Sequence, residues 1–225
     1  MKPKKRIAII GLGQFGAELA RTLARDCEVL AIDHDESLIG EISEDVHRAL
    51  SLDARDYGSL SSVVTRELDE VVVCMGGSIE ASILCTLHLR RIGVERIRVR
   101  ALSDDHASIL LAIGATEVVF PERETAHRLA QQIQNSNLLD FIPLTEDYMV
   151  MQIAAPEAFN GQTLAKIDIR SRFGLFVIAV KEHVPERTVF LPGPDFVVKP
   201  SDSLIIIGKE ESLKALQSED TEKKP

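Results

Sequence analysis

The hydrophobic pattern near the N-terminus predicts a strand, a glycine-rich turn, a helix and a second strand. Ile7–Ile10 is a short apolar run typical of a buried strand, and it leads into the turn Gly11-Leu12-Gly13-Gln14-Phe15-Gly16. After the turn, apolar residues at a spacing of four share one helical face: Phe15, Leu19 and Leu23. Val29–Ile32 then predicts a second strand that ends on Asp33, twenty residues after Gly13. This spacing is typical of a βαβ unit that binds a nucleotide or dinucleotide.

Each residue of this unit has a separate physical role in the prediction. Gly11 permits the tight turn, Gly13 lets the backbone approach phosphate oxygens, and Gly16 lets the helix pack closely on the sheet. The helix N-terminus offers free amide donors and the positive end of its dipole to an anion. The Asp33 carboxylate can accept hydrogen bonds from both hydroxyl groups of a ribose. It would repel a 2′-phosphate, which disfavours NADP. A glycine-rich turn without a ligand is the alternative, and the flanking strands and the acid favour the nucleotide site.

Alternation of strands and helices continues to the middle of the chain. Further strands are predicted at 47–52, 71–75, 97–102 and 118–120, with amphipathic helices between them. Together with the first two they make six strands in a parallel, doubly wound, Rossmann-like α/β sheet. Because ligands of such sheets bind at the carboxyl ends of the strands, one edge should collect Gly11 to Gly16, Asp33, Asp53, Gly76 and the Pro121-Glu122 corner.

The pattern changes after Glu122. We predict a nucleotide-binding domain over residues 1–135 with a crossover helix at its end, a linker over 136–147 and a small α+β domain over 148–216. Strands of the second domain are expected at 149–154, 175–180, 188–191 and 203–207. Residues 217–225 form a charged tail that we expect to be disordered.

Composition narrows the function classes. The 225 residues carry a formal net charge of −9, which argues against a nucleic acid polymer as the partner. The basic start is followed by an apolar run too short for a signal peptide, and no window approaches the length of a membrane span. Cys27, Cys74 and Cys85 show no CxxC spacing, so we interpret them as small buried hydrophobes in a reducing cytosol.

The catalytic half of a dehydrogenase is not visible in the sequence. Short-chain enzymes need a tyrosine followed four residues later by lysine, but Tyr57 and Tyr148 are followed by Ser61 and Gln152. Histidines of the first domain are more simply interpreted as satisfied or solvent-facing side chains. No acid and base pair is apparent, which favours a sensor over an enzyme. An NAD-dependent oxidoreductase is the alternative, and a redox-sensing repressor would need a DNA-reading domain that no part of the pattern predicts.

These motifs closely resemble the RCK proteins, the regulatory subunits of Ktr and Trk potassium uptake systems. The resemblance rests on the glycine turn, Ala31-Ile32-Asp33, Asp53-Ala54, Gly76 and the segment Ala115 to Glu122. It extends into the second domain through 167–174 and 199–208, and it covers about Arg6 to Leu216. The family implies a non-enzymatic cytoplasmic subunit, a dimer assembling into an octameric ring, which controls a potassium channel or transporter in the membrane.

The resemblance also assigns roles to residues. Gly11, Gly13 and Gly16 match the phosphate turn, Asp33 the ribose acceptor, and Asp53 with Ala54 the adenine edge. We add three neighbouring candidates for cofactor binding: Gln14, Phe15 and His34. Glu122 matches an acid that helps to hold Mg²⁺ or Ca²⁺ beside the terminal phosphate, and a plain helix N-terminal acid is its alternative.

The sequence departs from the Ktr pattern at Gln14. Ktr-type members usually carry arginine there, whereas some Trk-type members that resemble NAD binders carry glutamine. The expected ligand is therefore ATP/ADP or NAD(H), with Arg100 as a candidate for the missing positive charge. Some relatives bind cyclic-di-AMP in the second domain, where Arg170 and Arg172 are candidates, with helix-end charges as the alternative.

Overall fold

A computed structural model of the chain describes residues 3–134, 138–145, 147–209, 211–212 and 215–216. The first unit is built on six strands, β1(Arg6–Ile10), β2(Glu28–Asp33), β3(Arg48–Ser51), β4(Glu70–Val73), β5(Ile97–Arg100) and β6(Glu117–Val119). All of them are parallel, in the order β3-β2-β1-β4-β5-β6. This order reverses direction between β1 and β4, as in doubly wound sheets that bind dinucleotides. The fold class expected from the sequence is confirmed.

Helices cover both faces of this sheet. They are α1(Gln14–Ala24), α2(Glu36–Ile42), α3(Tyr57–Val63), α4(Ile79–Ile92) and α5(Asp104–Ile113). Alternate residues of β1 face opposite sides, so Ile7 and Ile9 pack in the cluster with α1 and α2 while Ala8 and Ile10 pack in the cluster with α3, α4 and α5. Burial on both faces explains why these strands are continuous apolar runs.

Short polar side chains begin four of the helices at the same edge of the sheet. Asp35 caps α2, Asp56 caps α3, Ser78 caps α4 and Ser103 caps α5, each by accepting a bond from an amide two or three residues ahead. Because each cap lies within five residues of the end of a strand, the helix N-termini lie at the carboxyl edge of the sheet. The local sequence thereby gathers amide donors where a ligand of this fold binds.

The second unit is an antiparallel sheet with short helices. Its strands are β7(Leu138–Pro143), β8(Tyr148–Ala154), β9(Phe176–His183), β10(Glu186–Phe190) and β11(Ser203–Lys209), in the order β10-β9-β11-β8-β7. Helix α6(Pro121–Gln134), a 3-10 turn at Glu157–Phe159, α7(Leu164–Ile167) and α8(Ile169–Phe173) complete the described elements. Its core includes Met151, Leu175, Leu204 and Ile206.

The boundaries differ from those expected. The chain divides into two compact units between Glu122 and Arg123, so that most of α6 belongs to the second unit. Leu138–Pro143, which we expected within a linker, forms the edge strand β7 and pairs with β8 from Ile142↔Val150 to Leu138↔Ile153. The predicted disordered tail, 217–225, lies outside the described residues. Within the described part of the chain, no helix is long and apolar enough to cross a membrane.

A buried carboxylate in the second unit supplies a pH-dependent prediction. The Glu182 side chain is 1% exposed, and it pairs with Arg187 and, at 2.5 Å, with the Lys199 ammonium. Bonds from Arg187 and Lys199 hold the pKa of Glu182 below its ordinary value. A depressed pKa stabilises the folded state above the ordinary glutamate pKa, and this stability is lost as the pH falls through the folded-state value.

We therefore expect Glu182→Gln to lower the melting temperature at pH 7, with a difference from wild type that shrinks as the pH falls below about 4.3. Thermal unfolding across this pH range is the measurement, with the exposed Glu186→Gln in β10 as the control. A difference that stays constant with pH would contradict the assignment.

Candidate functional site

The turn after β1 brings the backbone and α1 together at the carboxyl edge. Gly11 has φ +95°, and its amide donates to the carbonyl of Ile32 at 2.8 Å, which joins the turn to the end of β2. A Cβ at Gly16 would overlap the Gly11 carbonyl oxygen. By contrast, a Cβ at Gly13 would meet nothing within 4 Å, so open space adjoins the start of α1. Such a space beside the first helical amides fits a phosphate group.

Asp33 holds the glycine turn from the neighbouring strand. Its Oδ2 accepts a hydrogen bond from the Leu12 amide at 2.6 Å, and its Oδ1 accepts one from the Asp35 amide at 3.0 Å. The His34 ring nitrogen Nδ1 lies 2.9 Å from the same Oδ1. The residue is only 8% exposed. Its Oδ2 retains a lone pair that can accept from a ribose hydroxyl, whereas Oδ1 can accept from a second hydroxyl only in place of the His34 contact. Asp33 therefore has a structural role that its spacing alone did not predict.

The Asp53 carboxylate is engaged by a residue that sequence reasoning missed. Arg55 donates to it from Nε at 2.9 and 3.0 Å, from Nη2 at 2.7 Å and from its backbone amide at 2.9 Å. These bonds lower the pKa of Asp53 to about 2. The Arg55 carbonyl is in turn bonded to Nε2 of the buried His88 at 3.0 Å. These bonds fix the loop after β3 and place the Asp53–Arg55 ion pair at the candidate adenine edge.

The opposite side of the site is formed by the ends of β4 and β5. The Arg100 guanidinium packs against Gly76, where a Cβ would lie 2.8 Å from Arg100 Cζ. Arg100 Nε donates to Glu122 Oε2 at 3.2 Å, and its Nη2 also contacts Glu122 Oε1. Arg100, the candidate for the missing positive charge, therefore lines this side of the site and is already paired with a carboxylate.

A cavity of about 560 Å³ joins these features, within the range of small-molecule sites. It is lined by eight of the eleven predicted cofactor-binding residues: Gly11, Gly13, Asp33, His34, Asp53, Ala54, Gly76 and Arg100. Gln14, Phe15 and Gly16 are not among its lining residues, and Phe15 packs instead in the core beneath α1. Glu122, the predicted metal residue, also lies outside the lining and contacts it through Arg100.

Several lining residues were not predicted. Arg55 follows Asp53 by two residues, a spacing that allows the pair to close a local ring, and this signal was available in the sequence. Leu52, Met75, Ser78 and Ala81 line the apolar walls and the start of α4. Their positions after β3 and β4 point to this edge, but which side chains enter the cavity depends on the tertiary packing.

Two titratable side chains, those of His106 and Cys74, show no sign of a catalytic role. His106 Nδ1 accepts from the Leu102 amide at 3.3 Å and its Nε2 bonds to Ser82 Oγ at 2.9 Å, while burial lowers its pKa. It is a satisfied core histidine, as expected. Burial raises the pKa of Cys74, a lining residue, to about 12, so its thiol is a poor nucleophile at neutral pH.

Glu122 pairs with an arginine in the structure, and its metal role stays a prediction. Across the described ranges, no three His, Cys, Asp or Glu side chains come together around a metal-sized site. The Glu122 carboxylate faces a guanidinium, and a cation would have to compete with that charge. The site of one chain therefore favours an ion pair at this position.

The arginines considered for cyclic-di-AMP lie on α8. The Arg170 guanidinium carbon is 5.8 Å from the centroid of Phe176, and that of Arg172 is 4.9 Å from the centroid of Phe173. Arg172 Nη1 also donates to the Ile167 carbonyl at 3.2 Å. These contacts stabilise the fold locally, and they leave binding of a cyclic dinucleotide as a prediction.

Comparison with known proteins agrees with this geometry. Residues 7–121 match the model of the TrkA-N domain, and residues 149–219 match that of the TrkA-C domain. The chain is 37% identical over 206 residues to Ktr system potassium uptake protein C of Bacillus subtilis, which covers 91% of this chain and 92% of that protein. The chain belongs to the RCK family of TrkA-type potassium uptake proteins. The resemblance inferred from the sequence motifs is thus confirmed.

Other members of the RCK family match over similar lengths. Ktr system potassium uptake protein A of Bacillus subtilis is 29% identical over 216 residues, 96% of each chain. Among solved structures, the GsuK channel has a TM-score of 0.65 at 19% identity, and the GsuK channel bound to NAD has a TM-score of 0.61 at 18% identity. The chain covers 39% of each of those channel chains, and at this identity the two matches show a shared fold alone.

Proposed function

We propose that this chain is a regulatory subunit that binds an adenine nucleotide and controls a potassium channel or transporter in the membrane. One observation carries the proposal: the cavity at the carboxyl edge combines the glycine turn with the Asp33 carboxylate. It occurs in a chain that aligns over nearly its whole length with a potassium uptake protein. A sensor of this kind would lie at the cytoplasmic face of the membrane, held there by its partner.

The order of strands supports an orientation for the nucleotide. Asp53 follows β3, Asp33 ends β2, the glycine turn follows β1, Gly76 follows β4 and Arg100 ends β5. An adenosine over β3 and β2 would direct its phosphates toward the start of α1 and then toward Arg100. The distance from β2 to β5 is three strand spacings, or about 14 Å, which suits an extended diphosphate or triphosphate nucleotide.

The identity of the nucleotide depends on charges near the phosphates. Gln14 is neutral, and the positive charge of Arg100 is paired with Glu122. ATP and ADP are therefore expected to bind with affinities within about tenfold of each other in the absence of a divalent cation. NAD, which the related GsuK channel binds, is the other candidate.

Gln14→Arg tests this balance. A guanidinium at the first residue of α1 would add charge beside the helix N-terminus, and we expect it to raise the ATP/ADP affinity ratio about tenfold. Calorimetry with both nucleotides in EDTA is the measurement. A strong ATP preference of the wild type in EDTA would contradict the argument from Gln14.

Control of a membrane protein requires an assembly with two arrangements. A ligand shifts a two-state unit from 1:99 to 99:1 only with a differential affinity of about 10⁴, or about 5.5 kcal/mol. A symmetric ring can add smaller differences from several sites, which is the physical reason to propose the octamer that the family implies. A divalent cation near Glu122 and cyclic-di-AMP in the second unit remain proposals of the same kind.

Nucleotide binding and flux together test the proposed function. Purified protein should bind ATP, ADP or NAD by calorimetry, and small-angle scattering should show a ring whose shape changes with the nucleotide. A particle that stays a monomer or dimer with every nucleotide would exclude the ring mechanism. Robust turnover of a nicotinamide cofactor with alcohols or hydroxy acids, abolished by a cavity substitution, would instead support the oxidoreductase.

A further inference from the structure

Arg100 and Glu122 form an ion pair across the wall of the cavity. Arg100 ends β5 and lines the cavity, with a side chain that is 19% exposed. Glu122 follows β6, lies outside the lining and is 61% exposed. The cation thus faces both a possible ligand and a carboxylate of the same chain.

The position of Arg100 depends on the absence of a side chain at Gly76. A Cβ there would lie 2.8 Å from Cζ of Arg100, closer than real Cβ contacts allow, and 3.0 Å from Nη2, which is a tight contact. The next residue offers a natural comparison, because a Cβ at Gly77 would meet nothing within 4 Å. Gly76 therefore admits the guanidinium to the cavity wall.

Glu122 leaves part of the guanidinium available. Arginine has five N–H donors, and the contacts to Glu122 use Nε and Nη2. The remaining Nη1 group lies against Gly76 on the side of the cavity. An anionic ligand could use these donors, but it would share a cation whose charge is already largely neutralised.

We propose that Glu122 competes with the outer phosphate of a bound nucleotide for Arg100, so that this pair limits the preference of the site for longer phosphate chains. The inference rests on the proposed function, since it specifies how the same cavity distinguishes nucleotides by the length of their phosphate chain. It gives Glu122 a role through Arg100, as a positioning residue without contact to the ligand.

Removal of the competing charge is the first test. Affinities for ATP, ADP and AMP are measured by calorimetry at low salt in EDTA, so that divalent cations contribute nothing. Because exposed ion pairs are weak, Glu122→Gln should raise the ATP/AMP affinity ratio about two- to fivefold. The matched control is Glu117→Gln, which removes a carboxylate from β6 but leaves its partner Arg98 bonded to Glu70 at 2.8 Å. The control should leave the ratio within about 1.5-fold of wild type.

The second test displaces the guanidinium without changing a charge. Gly76→Ala should lower the ATP/AMP ratio about fivefold or more, and Gly77→Ala should lower it less, because only the first methyl group overlaps Arg100. Melting temperatures establish that both variants fold.

The outcomes separate the inference from the proposed function. An ATP/AMP ratio that is unchanged or lower in Glu122→Gln, or equal effects of the two alanine variants, would overturn the competition while leaving nucleotide binding intact. A wild-type protein that binds none of ATP, ADP, AMP and NAD would overturn both.

Discussion

Asp33→Ala is expected to weaken ATP, ADP and NAD alike by at least about 100-fold. The carboxylate is the proposed acceptor for two ribose hydroxyls, and hydrogen bonds to a charged group contribute about 1.5–3 kcal/mol each. The adenosine part is common to all three nucleotides, so the loss should not distinguish among them. Calorimetry with each nucleotide is the measurement, and unchanged affinity for all three would contradict the ribose role.

The same substitution should also reduce stability. The buried Leu12 amide, which donates to Asp33 at 2.6 Å, would lose its acceptor, and an unsatisfied buried amide costs about 1–3 kcal/mol. The Asp35 amide, which donates at 3.0 Å, would also lose its acceptor, but it lies in an exposed residue where water can replace the bond. Asp33→Asn, which keeps one oxygen, should lie between wild type and alanine in both measurements. The matched control is Asp35→Ala, which removes a neighbouring charge and the cap of α2 at a cost of about 1 kcal/mol but spares the ribose acceptor.

Gly16→Ala and Gly13→Ala should separate folding from binding within one turn. At Gly16 the new methyl group would overlap the Gly11 carbonyl oxygen and lie 3.1 Å from the Cys74 Cβ, so we expect destabilisation by about 3 kcal/mol and loss of nucleotide binding. At Gly13 the backbone, with φ −58° and ψ 179°, accepts any residue, and the methyl group enters open space.

Gly13→Ala should therefore keep its stability within about 0.5 kcal/mol of wild type, yet weaken ATP and ADP at least about tenfold by blocking the phosphate. Thermal unfolding and calorimetry on both variants decide the matter. Equal destabilisation of the two variants, or full ATP affinity in Gly13→Ala, would contradict the assignment of the open space to a phosphate.

The sequence predicted those parts of the site that follow from local rules. The apolar run of β1, the glycine turn and the length of α1 together place Asp33 beside the turn, because each element fixes the start of the next. The same rules missed strand β7. Leu138–Pro143 ends on a proline, and its pairing with β8 is interrupted by a shift in register. An edge strand of this kind is recognised only through its partner.

Contacts between distant residues account for the remainder. The metal role of Glu122 was predicted from the resemblance to RCK proteins, whereas its pairing with Arg100, 22 residues away, depends on how β5 and β6 align. Glycine is needed at position 76 because the Arg100 guanidinium packs against it, and no turn motif in the sequence predicts that contact. Such pairings arise from the register of the sheet and the side-chain rotamers, which propensity and periodicity do not specify.

The central claim is that nucleotide binding in this cavity controls potassium transport. Its most direct test is potassium flux through the membrane partner, reconstituted with the purified chain in the presence of ATP, ADP, NAD or no nucleotide. Flux should differ between nucleotides with wild-type protein, and the difference should disappear with Gly13→Ala, which is expected to keep the fold. Flux that is indifferent to every nucleotide, or that responds equally in the variant, would contradict the account.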